Sequence, residues 1–226
     1  MLFKAAQRDE LLTQNPAEFV NTVRERSTSD KRPFILAEIQ AVLLIADPEW
    51  QSLIRFGFYT GQRLADLAAL RWSNIDLARG EIRFVTAKTG RRMIIPLSEG
   101  LRAHIASLSS SDRADAVIHP RAFAILEAHG NASTLSRQFG ELLALAGLRA
   151  SGTHESTGKT RSSRRNLNAL SFHSLRRTAT TLLHEAGIAS AVAQALIGHD
   201  SEAIHGHYVN VGRDALQKAV AVFPTI

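Results

Sequence analysis

The feature that most constrains the fold is a single pair of β-branched segments in a chain whose other apolar residues are spaced for helices. Residues 82–85 and 93–95 flank Lys88-Thr89-Gly90-Arg91, a pattern that predicts a β-hairpin. Apolar periodicity predicts helices at residues 34–45, 49–59, 64–70, 98–108, 134–146, 173–186, 190–197, 202–208 and 213–222. The sequence therefore predicts an α+β fold that is mainly α-helical, with a small antiparallel β-sheet.

Charged and polar residues without an apolar period occupy positions 24–32, which is typical of a linker. A helix is predicted before them, and it ends ahead of Asn15-Pro16 because proline pushes the preceding residue out of the helical region. We therefore predict a terminal segment and linker over residues 1–32 and a compact domain over residues 33–226.

The charge balance favours a polyanionic partner such as nucleic acid. The 226 residues carry a formal net charge of +6, although charge alone does not identify the partner. Cysteine is absent, which excludes disulfides, thiolate metal sites and a cysteine nucleophile. No stretch approaches the roughly 20 apolar residues of a membrane span, and residues 1–20 lack a secretory signal. We therefore expect a cytoplasmic protein.

A pair of residues suited to phosphate, His173 and Arg176, lies at a predicted helix start. Their spacing of three places both side chains on one helix face. The arginine guanidinium forks onto phosphate oxygens, and the histidine can donate or relay a proton. The alternative interpretation is a solvated helix face, which fits most pairs of this kind.

The two tyrosines of the chain have different surroundings. Tyr59 lies in an apolar run and is predicted to belong to the core. Tyr208 ends the polar stretch Ile204-His205-Gly206-His207-Tyr208. A tyrosine hydroxyl ordinarily has a pKa of about 10, so a nucleophilic tyrosine needs nearby positive charge or a base. The histidines of this stretch have no Asp, Glu or Cys partner at ligand spacing, so no metal site is predicted.

Two further segments place cations at predicted turns. Arg63 follows Thr60-Gly61-Gln62 and opens a helix, where backbone N–H groups would add to its attraction for phosphate. Asp66, three residues later, could hold that arginine or a neighbouring group in place. Lys88 lies at the predicted hairpin tip, from which it could reach a groove or an active site. The alternatives are a surface Arg–Asp pair and a solvated lysine.

Taken in chain order, these residues resemble the tyrosine recombinase (phage integrase) family over about residues 33–226. The ordered set is Arg63, Lys88, His173-x-x-Arg176, Gly198-His199 and Tyr208. The resemblance implies that family's catalytic-domain fold and a site-specific DNA recombinase or integrase. Two positions depart from the commonest family pattern: Arg177 stands where His is frequent, and Val209-Asn210 where Thr-His is frequent.

The resemblance also implies the main catalytic roles. Tyr208 would attack the scissile phosphate and form a 3′-phosphotyrosyl bond. Arg63 and Arg176 would clamp the non-bridging oxygens, and Lys88 would protonate the departing 5′-oxygen.

Supporting roles follow in the same way. His173 would assist proton transfer at the tyrosine, His199 would hydrogen-bond the phosphate, and Asp66 would take the supporting acidic position. No metal, other cofactor or ATP is implied, because two guanidiniums supply the charge and the covalent bond retains the phosphodiester energy.

The family further implies double-stranded DNA as the partner, with a homotetramer on DNA and a monomer when free. The apolar segment at residues 214–223 either docks on a neighbouring protomer or folds back in cis. Full-length members carry a helical DNA-clamping domain before the catalytic one, to which residues 1–20 would contribute only the last part. We therefore expect a shortened clamp and weaker DNA binding.

The densest basic run contains Lys159, Arg161, Arg164 and Arg165. It is interpreted either as a solvated loop or as a contact to the DNA backbone.

Two alternatives to a recombinase remain at this point: a type IB topoisomerase-like enzyme with similar chemistry, and a DNA-binding remnant without catalytic activity.

Overall fold

The computed structural model describes residues 2–16, 31–108, 114–149, 169–198 and 212–226. The helices are Leu2–Arg8 (α1), Leu36–Ile45 (α2), Pro48–Thr60 (α3), Leu64–Ala68 (α4), Glu99–Ser107 (α5), Pro120–His129 (α6), Ser133–Leu145 (α7), Phe172–Glu185 (α8), Ser190–Ile197 (α9) and Arg213–Val220 (α10). The strands are Ile75–Asp76 (β1), Glu81–Val85 (β2) and Arg92–Pro96 (β3), preceded by a 3-10 turn at Trp72–Asn74. A mainly helical α+β fold is confirmed.

Helix α3 lies at the centre of the domain and is buried on nearly every side. Its N-terminus is fixed by Asp47, whose carboxylate accepts from the backbone N–H groups of Glu49 and Trp50 at 2.9 and 3.0 Å. It contacts α2, α4, α5 and α8. Because it is apolar around most of its circumference, it forms a core helix rather than a surface one.

An aromatic cluster fixes α8 against α3 and α7. The rings of Trp50 and Phe139 lie 5.8 Å apart, and those of Phe139 and Phe172 lie 5.2 Å apart in an edge-to-face arrangement. Phe34 joins the cluster through Phe139, and its backbone N–H donates to Thr178 Oγ1 at 2.8 Å. The start of the domain is thereby tied to α8.

The three strands form one antiparallel sheet in the order β1-β2-β3. In the predicted hairpin, Ile82 pairs with Ile95 and Phe84 with Met93. Side chains alternate between the two faces, so Ile82, Met93 and Ile95 are buried. The hairpin is confirmed, and the two-residue strand β1 is an addition that the sequence pattern did not predict.

Several helix boundaries differ from the predictions. Helix α6 was not predicted, although Pro120 at its first position and Gly130 in a left-handed conformation after its end mark both boundaries. Helix α1 ends at Arg8, well before the predicted end. Ile35 and Ile45 belong to the apolar pattern over residues 34–45, yet Ile35, just before α2, is 63% exposed and Ile45, its last residue, is 45% exposed.

The C-terminal segment folds back on its own chain. Helix α10 contacts α9 and β3, and the ring of Phe223 lies 5.6 Å from that of Phe58. The backbone N–H of Ile226 donates to the Tyr59 hydroxyl at 3.2 Å. Of the two predicted alternatives, docking on a neighbouring protomer and folding back in cis, this structure has the second. The prediction that Tyr59 belongs to the core is confirmed, since Tyr59 is 1% exposed.

Most of the predicted linker, residues 150–168 before α8 and the predicted helix at residues 202–208 lie outside the described residues. The domain boundary near Pro33 stays a prediction. Within the described ranges, no helix is both long and apolar enough to cross a membrane.

A buried hydrogen-bonded chain of two histidines and a serine joins α3, α5 and the start of α6. Because a carbonyl oxygen can only accept, His119 donates its Nδ1 proton to Leu67 O at 3.0 Å. In the neutral imidazole, Nε2 accepts from Ser52 Oγ at 2.9 Å, and Ser52 Oγ accepts from His104 Nε2 at 2.9 Å. The acceptor role of His119 Nε2 requires that this imidazole be neutral.

Burial lowers the pKa of His119 to about 4, and burial together with the charge of Arg55 lowers the pKa of His104 to about 4. Both pKa values lie below the ordinary 6.5. Between about pH 4 and pH 6.5 the unfolded chain therefore binds more protons than the folded chain. The free energy of unfolding should therefore fall as the pH drops from about 6.5 towards about 4, with His119 alone contributing roughly 3 kcal/mol.

Denaturant unfolding across this pH range measures the effect. The variant His119→Gln should be less stable at neutral pH and show a flatter pH dependence, whereas His129→Gln at an exposed position should keep the wild-type pH dependence. Equal or greater wild-type stability at the acidic end would contradict the assignment.

Candidate active site

The first turn of α8 carries two of the predicted site residues. Ser174 Oγ accepts from the Ser171 backbone N–H at 3.2 Å, which fixes the start of the helix. His173 is exposed, while Arg176 is 4% exposed. The two share one face as predicted, but the arginine reaches inward and the histidine faces solvent.

Arg176 connects the ends of two helices. Its Nη1 donates to Gly61 O at 2.9 Å and its Nη2 donates to Gly198 O at 2.7 Å. Gly61 follows the last residue of α3, and Gly198 follows the last residue of α9. Carbonyl groups at helix C-termini carry partial negative charge, so the guanidinium is held by the groups best suited to a buried cation.

Both carbonyls belong to glycines whose backbone conformation disfavours any side chain. Gly61 and Gly198 adopt left-handed φ values of 64° and 74°. A Cβ on Gly61 would lie 2.4 Å from Ile197 Cδ1, and one on Gly198 would lie 3.2 Å from Met93 Cε. The turns that present these carbonyls to Arg176 therefore depend on glycine.

Arg63 and Asp66 occupy the start of α4. Arg63 is the residue before the first turn, two positions after Gly61, and is half-buried. Asp66 is 5% exposed, and its Oδ1 accepts from the Ala87 backbone N–H at 2.8 Å. Among the described residues its Oδ2 has no hydrogen-bond partner. Asp66 thus links α4 to the turn of the hairpin.

Lys88 lies in that turn, immediately after Ala87, and is exposed. The Thr86 backbone N–H donates to Arg91 O, and the Gly90 N–H donates to Thr86 O, both at 2.9 Å. The hydroxyls of Thr86 and Thr89 are bonded at 2.8 Å. The turn is therefore well ordered by its own hydrogen bonds, and Asp66 sets its position relative to Arg63.

An open pocket of about 440 Å³ lies along α8. His173, Arg176 and Arg177 line it at one end, followed by Thr180 and His184 one and two turns later. Its lining also includes Pro33 and Glu185 and is mainly apolar, so the pocket by itself does not indicate a phosphate site. In the described part of the chain, no cluster of three or more His, Asp or Glu side chains could hold a metal ion.

The structure describes Arg63, Asp66, Lys88, His173 and Arg176. Arg176 joins two of their segments, since it contacts Gly61, two residues before Arg63, and Gly198, next to His199. Asp66 joins a third, since it contacts Ala87, next to Lys88. The remaining predicted residues lie outside the described ranges: Lys159, Arg161, Arg164, Arg165, His199 and Tyr208. Their roles stay predictions.

One residue of this region was missed by the sequence analysis. Gln62 is 3% exposed and donates to Leu196 O and Ile197 O at 3.2 and 3.1 Å. Nothing in its local sequence indicates that contact, since its acceptors lie more than a hundred residues away in α9.

Comparison with known proteins agrees with this description. A sequence model of the phage integrase family matches residues 36–214. Tyrosine recombinase XerD of Ralstonia nicotianae is 24% identical over 229 residues, which cover 95% of this chain and 67% of XerD. The chain therefore spans about two thirds of that relative's length.

Two solved structures have a similar fold. A lambda integrase dimer bound to a COC′ core site gives a TM-score of 0.61 at 19% identity, covering 93% of this chain and 72% of that one. A lambda integrase tetramer bound to a Holliday junction gives a TM-score of 0.56 at 20% identity, with coverages of 88% and 55%.

The family match extends over most of the chain and includes every predicted site residue that the structure describes. This chain therefore belongs to the phage integrase family and is a site-specific recombinase of the tyrosine type.

Proposed function

We propose that the chain breaks and rejoins DNA through a covalent 3′-phosphotyrosyl intermediate on Tyr208. The observation that carries the proposal is the pair of hydrogen bonds from Arg176 to Gly61 O and Gly198 O. Because Arg63 lies two residues after Gly61 and His199 directly follows Gly198, these bonds tether the segments that carry the other phosphate-binding groups.

In the cleavage step, the phenolic oxygen of Tyr208 forms a bond to the scissile phosphorus and the bond to the 5′-oxygen breaks. The phenolic proton leaves with the assistance of His173, and Lys88 donates a proton to the departing 5′-oxygen. Attack by a free 5′-hydroxyl on the phosphotyrosine reverses these bond changes and joins a new strand. No ATP is required because each step exchanges one phosphate ester for another.

Charge stabilisation in the transition state would come from Arg63 and Arg176 at the non-bridging oxygens, with His199 donating a further hydrogen bond. A guanidinium already fixed by protein carbonyls does not need to reorganise when the phosphate arrives. Asp66 supports the site through Ala87, because that bond fixes the hairpin turn that carries Lys88. Two guanidiniums supply the charge that a metal supplies in other phosphoryl-transfer enzymes, so we propose no metal.

Double-stranded DNA is the proposed partner. The solved relatives include lambda integrase bound to a core site and, as a tetramer, to a Holliday junction, and we propose a homotetramer on DNA for this chain. The cis packing of α10 supports a monomer in the absence of DNA. We further propose residues 33–226 as the catalytic domain, residues 1–32 as the end of a DNA-clamping region and its linker, and the cytoplasm as the location.

Covalent trapping tests the nucleophile. The substrate is a pool of random-sequence duplexes, each with a nick just 3′ to a potential cleavage site, so that loss of a short fragment makes cleavage irreversible. The wild-type chain should form a complex that survives denaturation, and Tyr208→Phe should reduce its yield by roughly 1000-fold or more.

Tyr59→Phe is the matched control, because it removes the only other tyrosine hydroxyl of the chain. It should trap DNA as well as the wild type. If neither the wild type nor Tyr208→Phe traps DNA, or if both trap it equally, the proposed mechanism is wrong.

The basic run Lys159, Arg161, Arg164 and Arg165 is proposed to bind backbone phosphates. Changing the three arginines to Gln should make log Kd less steep against log salt, by up to about 0.9 for each phosphate that the variant no longer neutralises. Arg137→Gln removes an exposed arginine from α7 and should leave the slope unchanged. An unchanged slope in the triple variant would favour the solvated-loop interpretation.

A further inference from the structure

We propose that Gln62 is a positioning residue that fixes the end of α9, and with it the point from which the chain continues to His199 and Tyr208. This inference rests on the proposed function for its catalytic consequence. Its structural basis is a set of hydrogen bonds that no catalytic role assigned above requires.

The Gln62 side chain bridges α3 and α9. Its Nε2 donates to Thr60 O at 3.0 Å, to Leu196 O at 3.2 Å and to Ile197 O at 3.1 Å. The side chain is 3% exposed, so water does not compete for these carbonyls. Two amide protons are shared among three buried acceptors.

The orientation of the amide follows from these partners. Carbonyl oxygens only accept, so the amide nitrogen must face them, and the opposite orientation would set the side-chain oxygen against all three. The Oε1 atom then lies 4.0 Å from the position that a Cβ on Gly198 would occupy, and among the described residues it has no hydrogen-bond partner. The amide is therefore held by its donor side.

Gln62 and Arg176 together bind three consecutive carbonyls at the end of α9. Gln62 binds those of Leu196 and Ile197, and Arg176 binds that of Gly198. The last carbonyls of a helix have no partner within the helix, so they are ordinarily left to solvent or local capping. In this chain they are bound by two side chains from outside α9. One is Gln62, next to Arg63 in sequence, and the other is Arg176, the second of the two arginines proposed to clamp the phosphate.

The consequence is a fixed exit from α9. Removal of the Gln62 bonds takes from Leu196 O and Ile197 O the partner that the described residues give them, and lets the helix end loosen. The core packing of the Leu196 and Ile197 side chains remains. A displacement of about 1 Å in a reacting group can cost on the order of 100-fold in rate. Gln62 therefore acts on cleavage through the placement of the following segment, without touching substrate.

Gln62→Met tests this, because methionine keeps the length and shape of the side chain and removes its donors. Gln51→Met is the matched control: Gln51 lies in α3, and its Nε2 donates to Ala46 O, the carbonyl after the end of α2, at 2.9 Å. Both variants remove a glutamine amide from a helix C-terminus. Only Gln62 binds the helix end that leads to the candidate nucleophile.

Two measurements are made on the full chain. Without DNA, hydrogen exchange at the amides of Leu196, Ile197 and Gly198 should accelerate by about tenfold or more in Gln62→Met and stay at the wild-type rate in Gln51→Met. With a nicked duplex recovered by the wild type from the random pool, single-turnover cleavage by Gln62→Met should fall by about 10- to 100-fold. Its Kd for that duplex should stay within about threefold of wild type, since every phosphate-binding side chain is kept.

Gln62→Glu provides a second variant and a distinct readout. The protonated acid keeps one donor towards the carbonyls, whereas the carboxylate has none. Its cleavage deficit relative to wild type should therefore shrink as the pH is lowered, while that of Gln62→Met should not. This variant also decides the inference if Gln62→Met does not fold.

The inference is overturned if the Gln62 variants exchange and cleave like Gln51→Met, or if their slower cleavage follows only from weaker DNA binding. If the wild type traps no DNA, the proposed function fails on its own. In that case the hydrogen-exchange comparison, which needs no DNA, still decides whether Gln62 fixes the end of α9.

Discussion

The arrangement of the site depends on one buried guanidinium held between two helix ends. Arg176 donates to carbonyls at the C-termini of α3 and α9, two segments that are far apart in sequence. A buried cation is costly unless its donors are satisfied, and the two carbonyls meet that requirement at the negative ends of helices. The same bonds fix where the chain leaves each helix, on one side towards Arg63 and on the other towards His199.

The hydrophobic core provides the rigidity that this arrangement needs. Helix α8 is fixed by the ring of Phe172 against its aromatic neighbours, and α9 is fixed by Leu196 and Ile197, which have no exposed surface. The polar contacts then act locally on well-placed elements: Gln62 on the end of α9, and Asp66 on the hairpin turn. The candidate site residues are thus positioned by bonds to backbone atoms, which substitutions of neighbouring side chains disturb least.

The sequence predicted local features well because their causes are local. The hairpin followed from its β-branched segments and turn, the extent of α7 from the apolar period over residues 134–146, and the core position of Tyr59 from its apolar neighbours. It also placed His173 and Arg176 on one helix face. The burial of Arg176 and the role of Gln62 could not be predicted, because both depend on α3, α8 and α9 meeting in space. The identity of the site came from the order of residues that resembles a family, and the geometry then explained why two glycines accompany it.

Nitrogen NMR of the arginine side chains in the DNA-free protein tests most directly whether the Arg176 site is formed before DNA binds. The Arg176 signals are identified by their absence in Arg176→Lys. Separate Nη1 and Nη2 resonances with slow hydrogen exchange are expected, because each nitrogen donates to its own buried carbonyl. A single averaged resonance that exchanges as fast as that of an exposed arginine such as Arg8 would contradict a site formed before DNA binds.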